Sequence, residues 1–299
     1  MDRLSKITSF QWKLAFLILA LAVGKLIYDG LSDGGLGQTA ALFIGLPAVL
    51  AIIVTLTPKA KSLTGMIVKG MTIALLLSGI LLREGFICIL MAAPLFYLVG
   101  VIIGRVIESK RSNSKIYGLV LLPFLLLSLE GVHGSLSFNR LETVKVERIV
   151  AASAVEVEQA LSQAPVFDRQ LPLYLRLGFP RPVSGSGSGL AAGDQWNIHF
   201  SGPAGFFGQG PPGDLVLEVL DRAPGYVRFR AVSDSSAVAH WLGWQETDVH
   251  WTELAPEHTR VTWTLRYERR LDPAWYFSPW ERYAVKLAGA YLIETLATP

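Results

Sequence analysis

Two kinds of hydrophobic patterning divide this chain. Up to about residue 130 the apolar positions form long runs: Trp12–Tyr28, Thr39–Thr57, Met66–Leu82, Gly85–Ile107 and Ile116–Leu129. A helix needs about 20 residues to cross a hydrocarbon core about 30 Å thick. The second and fourth runs meet that length. The first and third fall short but have polar flanks that can snorkel. The fifth is the weakest, with Pro123 inside it and Lys115 and Glu130 as interfacial ends. The pattern predicts an all-α transmembrane bundle of about five helices. Tyr28-Asp29-Gly30 offers no small-residue cleavage site after the first run, which argues against a removable leader.

From Leu141 the apolar positions alternate over short stretches separated by Gly and Pro, which predicts strands. A first strand is expected over 143–152, a short helix over 154–163 and a helical turn over 168–177. Further strands are expected over 195–200, 214–220, 226–232, 247–254 and 259–269. The last should place Val261, Trp263, Leu265 and Tyr267 on one face. Gly185–Gly189 reads as a flexible linker. The chain closes with a predicted helix over about 279–297, with Ser278-Pro279 suited to cap it. Ala284, Leu287, Ala288, Tyr291, Leu292 and Leu296 recur on it at helical spacing. The domains expected are 1–131 for the membrane region, 132–141 for a linker and 142–299 for a water-soluble α+β domain.

Composition sharpens this division. Hydrophobic residues make up 51% of the 299 and charged residues 17%. A soluble domain carries roughly 25% charge. The net charge of +3 is a sum of +7 over residues 1–140 and −4 over 141–299. An acidic second half without a basic stripe argues against nucleic acid as a partner. The single cysteine, Cys88, excludes a disulfide within the chain. Basic residues gather before the first run, at Lys59 and Lys61, and from Arg105 to Lys115. The loop holding Asp29 and Asp33 has none. The positive-inside rule then gives a cytoplasmic N-terminus and an extracytoplasmic second half. Loss of the fifth span would put the second half on the cytoplasmic side. Lys69, inside the third run, lies within a turn of the cytoplasmic end and is read as snorkelling.

The chemistry-bearing residues are scattered. His199, His250, Glu218 and Asp248 fall on predicted strands without HxH or HExxH spacing. No metal site, cofactor or catalytic set is assigned to them. Arg228, Arg230 and Arg266 could hold an anion, or could lie on a solvated face paired with Glu218, Glu253 and Glu268. A sheet covered by one long helix leaves room for a cavity. Its candidate lining is aromatic: Trp196, Phe200, Phe229, Trp251, Trp263, Tyr267 and Tyr291, with Leu287 from the helix. Phe206, Phe207, Trp241 and Trp244 are candidates for a gate or for membrane contact.

The segments VKVERIVAASAVEVEQAL, GDQWNIHF and LRYERRLDPAWYFSPWERYAV, with the strand series between them, resemble the START-like superfamily. This superfamily is also called SRPBCC or helix-grip, and the resemblance is to its polyketide-cyclase and lipid-transport branch. It covers about residues 142–298 and implies a curved antiparallel sheet around a C-terminal helix. The Gly- and Pro-rich SGPAGFFGQGPPGD and the preceding multi-span region depart from the usual pattern. Three functions remain open. The first is a binding protein anchored in a bacterial inner membrane, holding a lipid or isoprenoid-like molecule in a periplasmic domain. The second is a non-catalytic accessory or assembly subunit of a larger membrane complex. The third is a cyclase- or hydrolase-like enzyme using His199, His250 or Glu218.

Overall fold

A computed structural model describes residues 8–32, 46–81, 86–108, 129–130, 137–176, 179–201 and 212–298. The chain divides into two compact units, the second containing nearly everything from Leu126 onward.

The first unit contains α1 (Ser9–Ser32), α2 (Leu46–Leu56), α3 (Leu63–Leu81) and α4 (Phe86–Glu108), packed in chain order. Small side chains let these helices approach. Ala15 and Ala22 on α1 are buried, as are Ala48 and Ala51 on α2. On α4, Gly100 and Gly104 form a GxxxG pair: an added Cβ at Gly104 would lie 2.6 Å from the Thr64 Cα. Small residues at such contacts let helix backbones pack closely side by side. The last carbonyls of α2 lack helical partners. Gln11 Nε2 donates to Thr55 O and Thr57 O, both at 2.7 Å, and Lys69 Nζ donates to the same oxygens at 3.2 and 2.8 Å. Lys69 is thus a helix-end clamp.

Two helical segments, Ser9–Ile27 and Ile89–Glu108, are long and apolar enough to cross a membrane. The expectation of five spans is corrected to these two among the described residues. The described α2 has 11 residues, about 16 Å at 1.5 Å per residue. The apolar part of α3 ends at Ser78. The fifth run lies outside the described residues except for Leu129.

The second unit is a seven-stranded antiparallel sheet with one long helix against it. The strands are β1 (Leu141–Val150), β2 (Arg181–Ser186), β3 (Gln195–Ser201), β4 (Gly213–Ala223), β5 (Tyr226–Asp234), β6 (Leu242–Ala255) and β7 (His258–Arg269). Their order is β1-β7-β6-β5-β4-β3-β2. Tight turns join β4 to β5, β5 leads through a short 3₁₀ turn to β6, and β6 turns into β7. The N-terminal strand β1 pairs with the last one, Leu141 facing Glu268 and Val150 facing Thr259. Helix α5 (Ala154–Leu161) starts on a capping box, in which Ser153 N donates to Glu156 Oε2 at 2.8 Å and Ser153 Oγ accepts from Glu156 N. Its Val157 and Leu161 are buried. The long C-terminal helix α6 (Ala274–Leu296) packs on β1 and β7. Gly289 sets its closest approach, since a Cβ there would lie 2.8 Å from Val146 Cγ2 and 2.9 Å from Leu265 Cδ1. This is the helix-grip arrangement.

Three local expectations are corrected. Gly185 and Ser186 belong to the edge strand β2, because Gly and Ser carry no alternation from which a strand can be read. Strand β6 begins at Leu242, so Trp244 lies on a strand. Helix α6 begins at Ala274, and Pro279 lies inside it. A distant carboxylate caps that start: Glu130 Oε2 accepts from Ala274 N at 2.8 Å.

The same carboxylate belongs to a buried charge cluster where β1 begins, β7 ends and α6 starts. Arg269 is fully buried and reaches Glu130 Oε1 at 3.1 Å and Asp272 Oδ1 at 2.6 Å. Its Nη1 also donates to the Leu271 carbonyl. Arg140 pairs with the other oxygen of Asp272, and Arg282 Nε donates to Glu142 Oε2 at 2.7 Å. Glu281, on α6, is buried beside them. Burial pushes its carboxyl up to about 8; the Arg269 charge and the Leu271 amide oppose the shift, while Glu142 and Asp272 add to it.

A raised carboxyl pKa has a definite sign for stability. The folded state holds this proton longer than the unfolded chain, so the contribution is complete below about 4.5 and is lost as pH rises through about 8. Each pH unit in that window removes up to about 1.4 kcal/mol. Thermal unfolding of the whole protein, followed by near-ultraviolet dichroism, should show the melting temperature falling from about pH 5 to 8. Glu281→Gln should flatten that slope. Parallel curves for the two proteins would mean that Glu281 ionises as an ordinary surface acid.

Candidate functional site

Between the sheet and α6 lies an apolar cavity of about 150 Å³. Alternation along the strands supplies one wall: Trp196, Ile198 and Phe200 from β3, Leu215 and Leu217 from β4, and Trp263 and Leu265 from β7. Helix α6 supplies the opposite wall at Ala284, Val285, Ala288, Tyr291, Leu292 and Leu296. The i, i+3, i+4 spacing puts these side chains on one stripe. Ala284 and Ala288 fill little space, which leaves the cavity open beneath the helix. The segment between α5 and β2 covers a third side with Phe167, Leu171, Leu175 and Phe179.

Three of the lining aromatics have their polar atoms engaged. Trp263 Nε1 donates to Thr247 Oγ1 at 2.7 Å, and that hydroxyl donates to Thr264 O at 3.0 Å. Trp196 Nε1 donates to Gly189 O at 3.2 Å, and the Tyr291 hydroxyl donates to Arg169 O at 3.2 Å. These three rings therefore present carbon to the cavity. A site of this kind attracts hydrocarbon and gives water too few partners to stay. Gln245 and Glu246 bring the few polar atoms of the lining.

An aromatic series seals one flank. Phe179 meets the Trp241 ring at 5.4 Å, Tyr174 meets Phe179 at 5.4 Å, and Tyr283 on α6 meets Tyr174 at 5.1 Å. Burial, with Tyr283 nearby, pushes the Tyr174 hydroxyl up to about 12, so it stays neutral at physiological pH.

Of the residues anticipated from sequence, Trp196, Phe200, Trp263 and Tyr291 line the cavity. Phe229 is buried behind Trp196, ring to ring at 4.7 Å, and Trp251 is buried in the same core. Tyr267 is fully buried beyond Trp244, at 6.0 Å. Leu287 is half-buried outside the lining, and its neighbours Ala284, Val285 and Ala288 take the place expected of it. Trp241 and Trp244, candidates for a gate or membrane contact, are part of the cavity wall. Phe206 and Phe207 lie outside the described residues. The four covering residues from Phe167 to Phe179 were missed, although their spacing of four was visible in the sequence.

The scattered polar candidates lie elsewhere. His199 Nδ1 meets Asp214 Oδ1 at 2.8 Å, and His250 packs on the Tyr226 ring. Along their strands His199, His250 and Glu218 alternate with the inward residues and so face away from the cavity. Among the described residues no cluster of three or more His, Cys, Asp or Glu could hold a metal. The three arginines are taken by carboxylates. Arg230 pairs with Glu218 at 3.1 Å, while Arg228 and Arg266 both grip Asp248, at 2.7 and 2.6 Å. Burial pulls the Asp248 carboxyl up, but the hydrogen bonds from Arg266 and Arg228 outweigh it and hold the group below its ordinary value. Arg228 thus pairs with Asp248 rather than with Glu253 or Glu268.

Thr247 satisfies the Trp263 N–H and so keeps it from the cavity. Thr247→Val should leave that N–H buried without a partner, a loss of about 1–3 kcal/mol. Its checks are a lowered melting temperature and an altered near-ultraviolet tryptophan spectrum. An unchanged spectrum and stability would show that the Trp263 bond carries no weight.

Neither a protein-family model nor a curated protein matches this chain. Solved structures similar to it cover about half of it. A START superfamily protein from Mycobacterium smegmatis is 15% identical with a TM-score of 0.36, over 52% of this chain and 96% of that one. The Zhui aromatase/cyclase from Streptomyces is 16% identical with a TM-score of 0.32, over 52% and 86%. The ginseng major latex-like protein 151 from Panax ginseng is 13% identical with a TM-score of 0.29, over 52% and 99%.

Proposed function

We propose that this protein is a membrane-anchored carrier whose second unit holds a hydrophobic ligand of lipid or isoprenoid type. The dry, aromatic-lined cavity between the sheet and α6 carries this reading. Burial of apolar surface there gains about 25 cal/mol per Å². The volume of about 150 Å³ is below the 300–1,000 Å³ typical of drug-sized pockets. It suits one ring or one hydrocarbon chain, so a two-chain lipid would insert a single chain. Helices α1 and α4 supply the anchor. Phe10, Phe16 and Ile27 on α1 and Phe96 on α4 present large apolar surfaces, the arrangement that lipid would cover. A periplasmic domain with a cytoplasmic N-terminus requires the fifth run to cross as well, because the basic residues flanking the first and fourth runs lie on the cytoplasmic side and an even number of spans returns the chain there.

A second reading draws on a different surface. Trp275, Trp280 and Tyr283 are exposed near the start of α6, and aromatics of this kind are enriched where proteins meet. Under that reading the domain is an accessory subunit of a larger membrane assembly.

Mass spectrometry of the intact protein and its extract separates the two. The carrier should retain about one small apolar molecule per chain. Ala288→Trp should fill the cavity and abolish that retention, while Leu287→Trp, outside the lining, should preserve it. An empty wild-type domain that co-purifies with membrane subunits in fixed ratio would favour the accessory reading.

Sidedness is checked by chemistry. In a Cys88→Ser background, His258→Cys, exposed at the start of β7, should react with an impermeant maleimide in intact spheroplasts. Labelling only after lysis would put the domain in the cytoplasm.

A further inference from the structure

Both walls of the cavity continue past its lining into a polar side chain. On α6 the sheet-facing stripe runs Glu281, Ala284, Val285, Ala288, and the last three line the cavity. On β7 the same face runs Trp263, Leu265, Tyr267, and the first two line it. Trp244, another lining residue, sets its ring edge-on to Tyr267. Tyr267 is fully buried and Glu281 is 5% exposed. The Tyr267 hydroxyl and both Glu281 carboxyl oxygens lack a hydrogen-bond partner of normal geometry. The Leu271 amide is directed toward Glu281 without closing such a bond. Unsatisfied groups of this kind cost about 1–3 kcal/mol each, so three of them together mark a place built for something else to bind.

The surrounding charges state what that something is. Arg140, Arg269 and Arg282 are the cations of the cluster, and Glu130, Asp272 and Glu142 are their partners. The pairs balance, so Glu281 has no cation of its own; Arg269, whose Nε is likewise buried without a hydrogen-bond partner, acts on it only at a distance and does not offset its burial. An ionised Glu281 would be an unpaired buried charge, which costs several kcal/mol. The side chain is therefore a neutral acid, able both to donate and to accept a hydrogen bond.

The geometry points to Tyr267 and Glu281 as the polar end of the ligand site, receiving an uncharged hydroxyl or carbonyl oxygen at the tip of an apolar molecule. The assignment rests on the carrier reading and narrows its ligand. Carboxylate and phosphate heads are disfavoured, because each would add a negative charge to a cluster whose cations are already matched. Such a ligand lays its hydrocarbon along Trp244, Leu265 and Val285 and delivers its oxygen between the helix and β7.

Three molecules of one shape test this: 4-butylphenol, butylbenzene and 4-butylbenzoate. Their dissociation constants are measured for the full chain in lipid nanodiscs, with empty nanodiscs as the partition control. The wild type should bind 4-butylphenol about tenfold more tightly than butylbenzene, the worth of about one hydrogen bond, and 4-butylbenzoate most weakly. Tyr267→Phe and Glu281→Leu should each bring the phenol preference to within about twofold of parity, with butylbenzene affinity unchanged. Glu281→Gln, which can still donate and accept, should keep most of it. Tyr267→Phe removes one oxygen and so preserves a readable protein if the Glu281 variants fold poorly. Binding of butylbenzene without a phenol preference would overturn the polar end while leaving the cavity as a ligand site. So would a preference that survives in both Tyr267→Phe and Glu281→Leu. Failure of all three molecules to bind would overturn the carrier reading and this assignment with it.

Discussion

A guanidinium buried without access to water has to be met by carboxylates, and Arg269 obtains them from Glu130 and Asp272. Losing one partner of such an arrangement typically costs about 3–5 kcal/mol. The residues that answer it come from a segment before β1, from the end of β7 and from the turn into α6. Glu130 binds Arg269 with one oxygen and caps α6 with the other. The helix therefore starts at Ala274, and its start is tied to the end of the sheet. Everything along its sheet-facing stripe follows from that placement.

The stripe then changes character along its length. At its start are Ser278, which donates to Glu142, and Glu281. Further on, Ala284 and Ala288 leave the cavity open, and Gly289 brings the backbone down onto Val146 and Leu265. Leucine at position 284 or 288 would close much of the space, and alanine at 289 would push the helix away. Open volume and close packing thus alternate within two turns. Trp196, Trp263 and Tyr291 direct their polar atoms to backbone or threonine partners and so leave carbon facing the cavity. Its walls are therefore mainly apolar, with Gln245 and Glu246 as the polar exceptions.

The first unit obeys different physics. Its helices meet through alanine and glycine, and its polar residues serve helix ends. Gln11 and Lys69 satisfy the carbonyls at the end of α2, and Glu108 accepts from Thr64 at the start of α3. Lysine inside an apolar run can signal ion movement, but here both contacts of Lys69 are structural.

Much of this architecture was legible in the residues. Inward alternation along β7 and the capping box at Ser153 are local signals that need no partner to be read. The aromatic inventory anticipated part of the cavity, because alternation puts Trp196, Phe200 and Trp263 on an inward face. Depth along that face was not readable: Phe229, Trp251 and Tyr267 are inward as well, yet only the placement of α6 decides which rings border empty space. The start of α6 was misjudged for the same reason, since its cap lies 144 residues away in the chain. The sequence by itself determined which residues can form strands, which helical stripe can meet them and which half is apolar enough for lipid, because those properties reside in neighbours along the chain. The tertiary structure alone decided where volume remains, which polar groups find partners and that Glu281 finds none, because each depends on atoms brought together from distant segments.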